Sequence, residues 1–129
     1  MRIILPLMLM LLLGISVFTP PQAIAGSYRH ISMQEAMHMM DVMENYVILD
    51  VRTPAEYGSG HIPGAINVPN ETIFSNDIAE LPDKNQLILV YCRSGNRSRQ
   101  ASAKLAALGY HNIVEFGGIH AWPGELAYP

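Results

Sequence analysis

The chain has 129 residues, and its eight Lys and Arg residues against eleven Asp and Glu residues give a formal net charge of −3. This mildly acidic balance argues against nucleic acid as a partner. Cys92 is the only cysteine, which excludes an intrachain disulfide.

The first 25 residues have the pattern of a secretory signal peptide. Arg2 precedes a mostly apolar run over residues 3–18, and the sequence Ala23-Ile24-Ala25 stands before Gly26. We expect cleavage between Ala25 and Gly26, which leaves one domain over residues 26–129, close to the commonest domain size. The mature protein is then periplasmic or secreted and is not stably inserted in a membrane. Because the apolar run is shorter than the ~20 residues that span a bilayer, an uncleaved anchor is the less favoured alternative.

Strand and helix patterns alternate along the rest of the chain. In chain order, we predict a strand at 28–31, a helix from 33 to about 43, a strand at 46–51, a short helix from 54, a strand at 65–68, a helix from 70 to about 81, a strand at 87–91, a helix at 97–108 and a strand at 113–116. Ser32 and Glu35 form a capping-box pattern at the first helix. Thr53 is the predicted N-cap of the second helix, and Asn70 that of the third.

This alternation predicts an α/β fold, a single small domain with a parallel β-sheet flanked by helices on both faces. Parallel sheets bind ligands at the carboxyl ends of their strands. Asp50 and Cys92 lie at two such ends, and we expect them to face one pocket. Asp50 and Arg52 are therefore candidate supporting residues of the site. For Arg52 we favour a structural ion pair, with Glu56 as a candidate partner, and Asp50 stays open between the two roles.

Cys92 stands where a reactive cysteine is expected. The apolar strand that ends there is followed by a loop with the sequence Arg93-Ser94-Gly95-Asn96-Arg97, and then by a helix. The backbone N–H groups of such a loop and the positive end of the helix dipole face the thiol, which favours its ionisation. The arginines also make the loop a receptor for an anion. The alternative is a small, buried structural cysteine.

Three motifs in this chain resemble the signatures of rhodanese domains. The first covers residues 49–57 and 60–69, the second is Tyr91-Cys92-Arg93-Ser94-Gly95-Asn96-Arg97-Ser98, and the third covers residues 108–110 and 117–122. The resemblance as a whole covers nearly all of residues 29–126. A single motif is only a hypothesis, but three in the same order and at the same spacing indicate a rhodanese-like domain.

The resemblance implies a sulfurtransferase in which Cys92 is the nucleophile and carries a persulfide. The backbone N–H groups of Arg93 through Arg97 would hold the persulfide charge, and the side chains of Arg93 and Arg97 are the candidates to bind a sulfonate-like group. The implied substrates are a small anionic donor, thiosulfate by default, and a thiol or cyanide acceptor. No cofactor and no metal are expected.

Two alternatives differ in chemistry from this reading. Tyrosine and dual-specificity phosphatases place five residues between their cysteine and arginine, whereas four separate Cys92 from Arg97. We therefore regard a cysteine phosphatase or an arsenate reductase as the weaker hypothesis. The second alternative is a non-enzymatic persulfide carrier that delivers sulfur to a partner protein.

Overall fold

A computed structural model describes residues 27–75 and 77–129. The predicted signal peptide, residues 1–25, lies outside this part of the chain. The described residues form five strands, β1 to β5, and three α-helices, α1 to α3. In chain order these are β1 Arg29–His30, α1 Met33–Val42, β2 Tyr46–Asp50, α2 Pro54–Gly58, β3 Ile66–Asn67, β4 Leu87–Cys92, α3 Asn96–Ala107 and β5 Ile113–Gly118. None of the described helices is long and apolar enough to cross a membrane.

The five strands form one parallel sheet in the order β1-β5-β4-β2-β3. Side chains alternate across β4: Ile88, Val90 and Cys92 belong to a core cluster with α3. Leu87, Leu89 and Tyr91 belong to a second cluster, which includes Ala36 of α1. All six side chains of β4 are buried, as expected for the central strand of a sheet covered on both faces. The predicted fold class is therefore confirmed.

The predicted caps of the first two helices are present. Ser32 Oγ accepts the backbone N–H of Glu35 at 3.1 Å, and the Glu35 carboxylate accepts the N–H of Ser32 at 3.4 Å. Thr53 and Glu56 form the same reciprocal pair at α2. Each box satisfies N–H groups that a helix start leaves unpaired.

The predicted helix from Asn70 to about residue 81 is wrong. Among the residues of this stretch that the structure describes, only a 3-10 turn, Asn70–Thr72, is present, and its N-cap is Pro69. The Asn70 side chain donates to Gln100 at 3.0 Å and does not cap a helix. The apolar residues of this segment, Ile73, Ile78 and Leu81, are buried in irregular structure on the α3 face.

Candidate active site

Cys92 is the last residue of the central strand and lies beneath the loop that leads into α3. The residue is 1% exposed. Its Sγ accepts the backbone N–H of Gly95 at 2.9 Å, so the loop folds back over the sulfur. Gly95 has φ +109°, a left-handed conformation that glycine adopts without strain, and it is also the N-cap of α3. The geometry thus places the sulfur at the positive end of the helix dipole, as predicted.

Burial and hydrogen bonding act on the Cys92 thiol in opposite directions. Burial raises its pKa, because the thiolate loses water. The Ser98 hydroxyl and the backbone N–H groups of Ser98, Gly95 and Ser94 lower it, and the net pKa lies below the ordinary value for cysteine. The site therefore favours the nucleophilic thiolate.

A bulge in β5 shapes the loop from the neighbouring strand. Glu115 pairs with Val90 and Gly118 pairs with Cys92, so β5 has one residue more than β4 over this stretch. Gly117 has φ +93°, which suits the bulge. A Cβ on Gly118 would lie 2.1 Å from the carbonyl oxygen of Arg93. Glycine at position 118 therefore lets the active-site loop rest directly on β5.

The arginines of the loop have different partners. Arg97 donates to Glu56 of α2 through both terminal nitrogens, at 2.6 and 2.9 Å. The hydrogen bond from Arg97 lowers the pKa of Glu56 to about 2, although partial burial opposes it. Arg93 Nε lies 3.3 Å from Nε2 of His120 and is exposed. Arg99 donates to Asn96 Oδ1 at 2.7 Å, so Asn96 fixes the Arg99 side chain next to the loop. The structure thus pairs Glu56 with Arg97, and the expected partnership of Glu56 with Arg52 is wrong.

Asp50 and Arg52 form a buried network on the other face of the sheet. Arg52 donates to both carboxylate oxygens of Asp50, with the shortest distance 2.7 Å, and Tyr91 donates its hydroxyl at 2.6 Å. Burial alone would lower the pKa of Arg52, but the hydrogen bond and charge of Asp50 raise it overall. Tyr91 belongs to the core cluster on the α1 face, whereas Cys92 belongs to the cluster on the α3 face. The expectation that Asp50 and Cys92 face one pocket is therefore corrected.

Two residues that the sequence did not single out contact the site. Ser98 Oγ lies 3.4 Å from Cys92 Sγ and 2.6 Å from Glu115 Oε1. Glu115 is fully buried in β5. The sequence signal that could have identified Glu115 is a charged residue inside an otherwise apolar strand. A buried carboxylate needs hydrogen-bond donors around it, so such a residue points to a polar contact. Within the described residues, no group of three or more His, Cys, Asp or Glu side chains is placed to hold a metal ion.

Comparison with known proteins agrees with this architecture. A family model described as "Rhodanese-like domain" matches residues 32–125. The chain belongs to this family. Thiosulfate sulfurtransferase PspE of Escherichia coli strain K12 is 38% identical over 71 residues, which cover 55% of this chain and 68% of PspE. Thiosulfate sulfurtransferase GlpE of Pseudomonas entomophila strain L48 is 33% identical over 107 residues, which cover 79% of this chain and 94% of GlpE.

A solved structure gives the same result. A rhodanese-like domain protein from Staphylococcus aureus aligns with a TM-score of 0.67 and 32% identity, over 78% of this chain and 98% of that one. The two relatives named above are both thiosulfate sulfurtransferases. The rhodanese-like domain described here is accordingly a sulfurtransferase, an enzyme that takes sulfur from a donor and passes it to an acceptor.

Proposed function

We propose that this enzyme moves the outer sulfur of thiosulfate, or of a similar anionic donor, to a thiol or cyanide through a persulfide on Cys92. The observation that carries the proposal is the position of Cys92 Sγ, which is within 2.9 Å of a loop N–H at the start of α3. Hydrogen bonds to the sulfur favour the thiolate, which is the form that attacks.

The first half-reaction makes the persulfide. The Cys92 thiolate attacks the outer sulfur of thiosulfate, and a bond forms between the two sulfur atoms. The bond from the outer sulfur to the sulfonate sulfur breaks, and sulfite leaves with the electron pair. The new terminal sulfur carries the negative charge, and we expect the loop N–H groups of Arg93 through Arg97 to stabilise it.

The second half-reaction returns the enzyme to its thiolate. Cyanide or a thiolate acceptor attacks the terminal sulfur, and Cys92 Sγ is the leaving group with the electron pair. Thiocyanate is the product when cyanide is the acceptor. The same hydrogen bonds that favour the thiolate before attack stabilise it as the leaving group.

Arg93 and Arg97 support the choice of an anionic donor. Arg93 is exposed beside the loop, and Arg97 adds a second guanidinium that interacts electrostatically with Cys92. Because Glu56 already neutralises much of the Arg97 charge, we expect Arg93 to contact the sulfonate end of the donor. Arg97 then acts mainly by holding α2 against the loop.

Steady-state kinetics tests the proposed cycle. Initial rates of thiocyanate formation are measured while thiosulfate and cyanide are each varied, with the Cys92→Ser variant as the control. Two half-reactions through a covalent intermediate predict parallel double-reciprocal lines, the ping-pong pattern, and no activity in the variant. Intersecting lines, or activity without Cys92, would overturn the mechanism. A persulfide that passes only to a partner protein would instead favour the sulfur-carrier alternative.

We also propose that the protein is exported to the periplasm or secreted. The charged, apolar and small-residue pattern of residues 1–25 supports this, as does the position of Ala25 before Gly26. N-terminal sequencing of the protein isolated from its own cells tests the proposal. A mature chain that begins at Gly26 is expected, and an intact Met1 terminus would contradict it.

A further inference from the structure

Glu115 is a buried carboxylate for which the proposed cycle has no use. It lies on the α3 side of β5 and is fully buried. Its Oε1 accepts the Ser98 hydroxyl at 2.6 Å and the backbone N–H of Gly117 at 2.8 Å. Its Oε2 lies 2.5 Å from Nδ1 of His30, a side chain that is 64% exposed. A chain of polar contacts therefore runs from the surface at β1 to the hydroxyl beside the active-site sulfur.

Ser98 is the point where this chain meets Cys92. Its hydroxyl oxygen lies within 3.5 Å of Cys92 Sγ, Glu115 Oε1 and the carbonyl oxygens of Gly95 and Gly117. A serine hydroxyl has a single proton to donate. The shortest of these contacts goes to the carboxylate, and hydrogen bonds to ionised acceptors are the strong ones. The Ser98 hydroxyl can donate a hydrogen bond to a Cys92 thiolate only when it no longer donates to Glu115.

We propose that Glu115 and His30 are positioning residues for sulfur transfer, which act through Ser98 by competing with Cys92 for its hydroxyl proton. In the thiol form, Ser98 donates to Glu115 and accepts the S–H proton of Cys92. When the thiol loses its proton to solvent, the Ser98 hydroxyl turns to the thiolate. Glu115 then still accepts the hydrogen bond from the Gly117 N–H and still contacts His30. In the persulfide Sγ carries no charge, so the hydroxyl returns to Glu115.

The charges around this path give the signs of the expected effects. His30 of β1 is the ionisable group that contacts Glu115. Arg97 of α3 interacts with Cys92, and Glu56 of α2 pairs with that arginine. A proton or an N–H that His30 donates to Glu115 weakens the hydrogen bond that Glu115 accepts from the Ser98 hydroxyl. Loss of the Glu115 charge therefore favours the thiolate, and loss of His30 disfavours it.

The test measures ionisation of Cys92 directly and does not depend on sulfur transfer. The purified protein is alkylated with iodoacetamide over a range of pH, and intact mass gives the rate at its only cysteine. The variants are Glu115→Gln, which keeps the shape and removes the charge, His30→Ala and Ser98→Ala. Glu44→Gln and His111→Ala change exposed residues of the same types and are the controls. Thermal unfolding confirms that each variant is folded.

We expect Glu115→Gln to shift the alkylation midpoint to lower pH by about half a unit, which is roughly a threefold gain in thiolate below the midpoint. His30→Ala and Ser98→Ala should shift it to higher pH, and the two controls should match the wild type. The Glu115→Gln shift should largely disappear when Ser98 is also alanine, because the double-mutant cycle isolates the route through the hydroxyl.

Two results would overturn the inference. An unchanged midpoint in folded Glu115→Gln would show that the carboxylate does not compete for the proton. If Glu115→Gln shifts the alkylation midpoint equally with and without the Ser98 hydroxyl, Glu115 acts on Cys92 only through the electrostatic field of its charge. The inference rests on the persulfide cycle proposed above, but the two can be separated. Absence of sulfur loading from thiosulfate would overturn the cycle, while the alkylation midpoints would still report the coupling.

Discussion

Replacement of Asp50 by asparagine should destabilise the fold and leave the chemistry of each folded molecule intact. Asp50 is fully buried, and its carboxylate faces the guanidinium of Arg52, whose side chain is 6% exposed. Arg52 has one further acceptor, the carbonyl oxygen of Gly60 at 2.7 Å. Asp50→Asn therefore leaves a buried cation without its counter-charge and weakens the acceptor of the Tyr91 hydroxyl.

The size of the effect follows from this burial. Removal of one partner of a buried ion pair costs about 3–5 kcal/mol, against a total stability of about 5–15 kcal/mol for a domain. At an m value of about 1–3 kcal/mol/M, the urea midpoint should fall by at least about 1 M. Tyr91→Phe removes the hydrogen bond to the carboxylate and also the acceptor of the Ile62 N–H, and it should cost at least about 1.5–3 kcal/mol.

Urea unfolding of the three proteins, with exposed Asp41→Asn as the control, measures the effect. The control should stay within about 0.5 kcal/mol of the wild type. Sulfur transfer per folded molecule, measured well below the unfolding midpoint, should be unchanged in Asp50→Asn. A variant as stable as the wild type but inactive would refute the structural role and restore Asp50 as a participant in the chemistry.

Three other changes address the loop and its ion pair. Gly118→Ala places a Cβ 2.1 Å from the Arg93 carbonyl oxygen, so the loop must move. Unfolding free energy should fall by about 1–3 kcal/mol and alkylation of the thiol should slow, whereas Gly58→Ala, with open space around its Cβ, should cost nothing. The pKa of Glu56 is lowered from 4.5 to about 2 by Arg97, so the pair stabilises the fold above pH 4.5 and this contribution disappears as the pH falls towards 2. It amounts to about 1–2 kcal/mol after allowance for exposure, and Glu56→Gln should lack this part of the acid dependence in urea titrations. Arg93→Ala should raise KM for thiosulfate up to about tenfold and leave the cyanide step unchanged; an unaltered KM would remove Arg93 from donor use.

The sequence predicted the fold well where local chemistry and tertiary packing agree. The Ser32 capping box defines the start of α1, and the apolar run that ends at Cys92 is the central strand. The two disagree after Asn70, which the sequence suggested as a helix N-cap but whose side chain bonds to Gln100 instead. Tertiary contacts decided that segment, since Lys104 Nζ and Gln100 of α3 both bond to Asn70.

The candidate site was predictable only in part for a related reason. The loop residues after Cys92 are contiguous in sequence, and their role follows from one strand-loop-helix unit. The partners of that loop come from distant strands and helices, and no local pattern pairs Arg97 with Glu56 or Ser98 with Glu115. Alternation along a strand also decides which face a residue occupies, which is why Asp50 and Cys92 separate although both stand at strand ends.

The central claim is that Cys92 carries the transferred sulfur, and intact mass tests it most directly. The protein spanning residues 26–129 is incubated with thiosulfate and weighed before and after the addition of cyanide, with Cys92→Ser as the control. The account predicts a gain of one sulfur atom at Cys92, its loss to cyanide with formation of an equal amount of thiocyanate, and no gain in the variant. A mass unchanged by thiosulfate, or sulfur bound equally by Cys92→Ser, would contradict it.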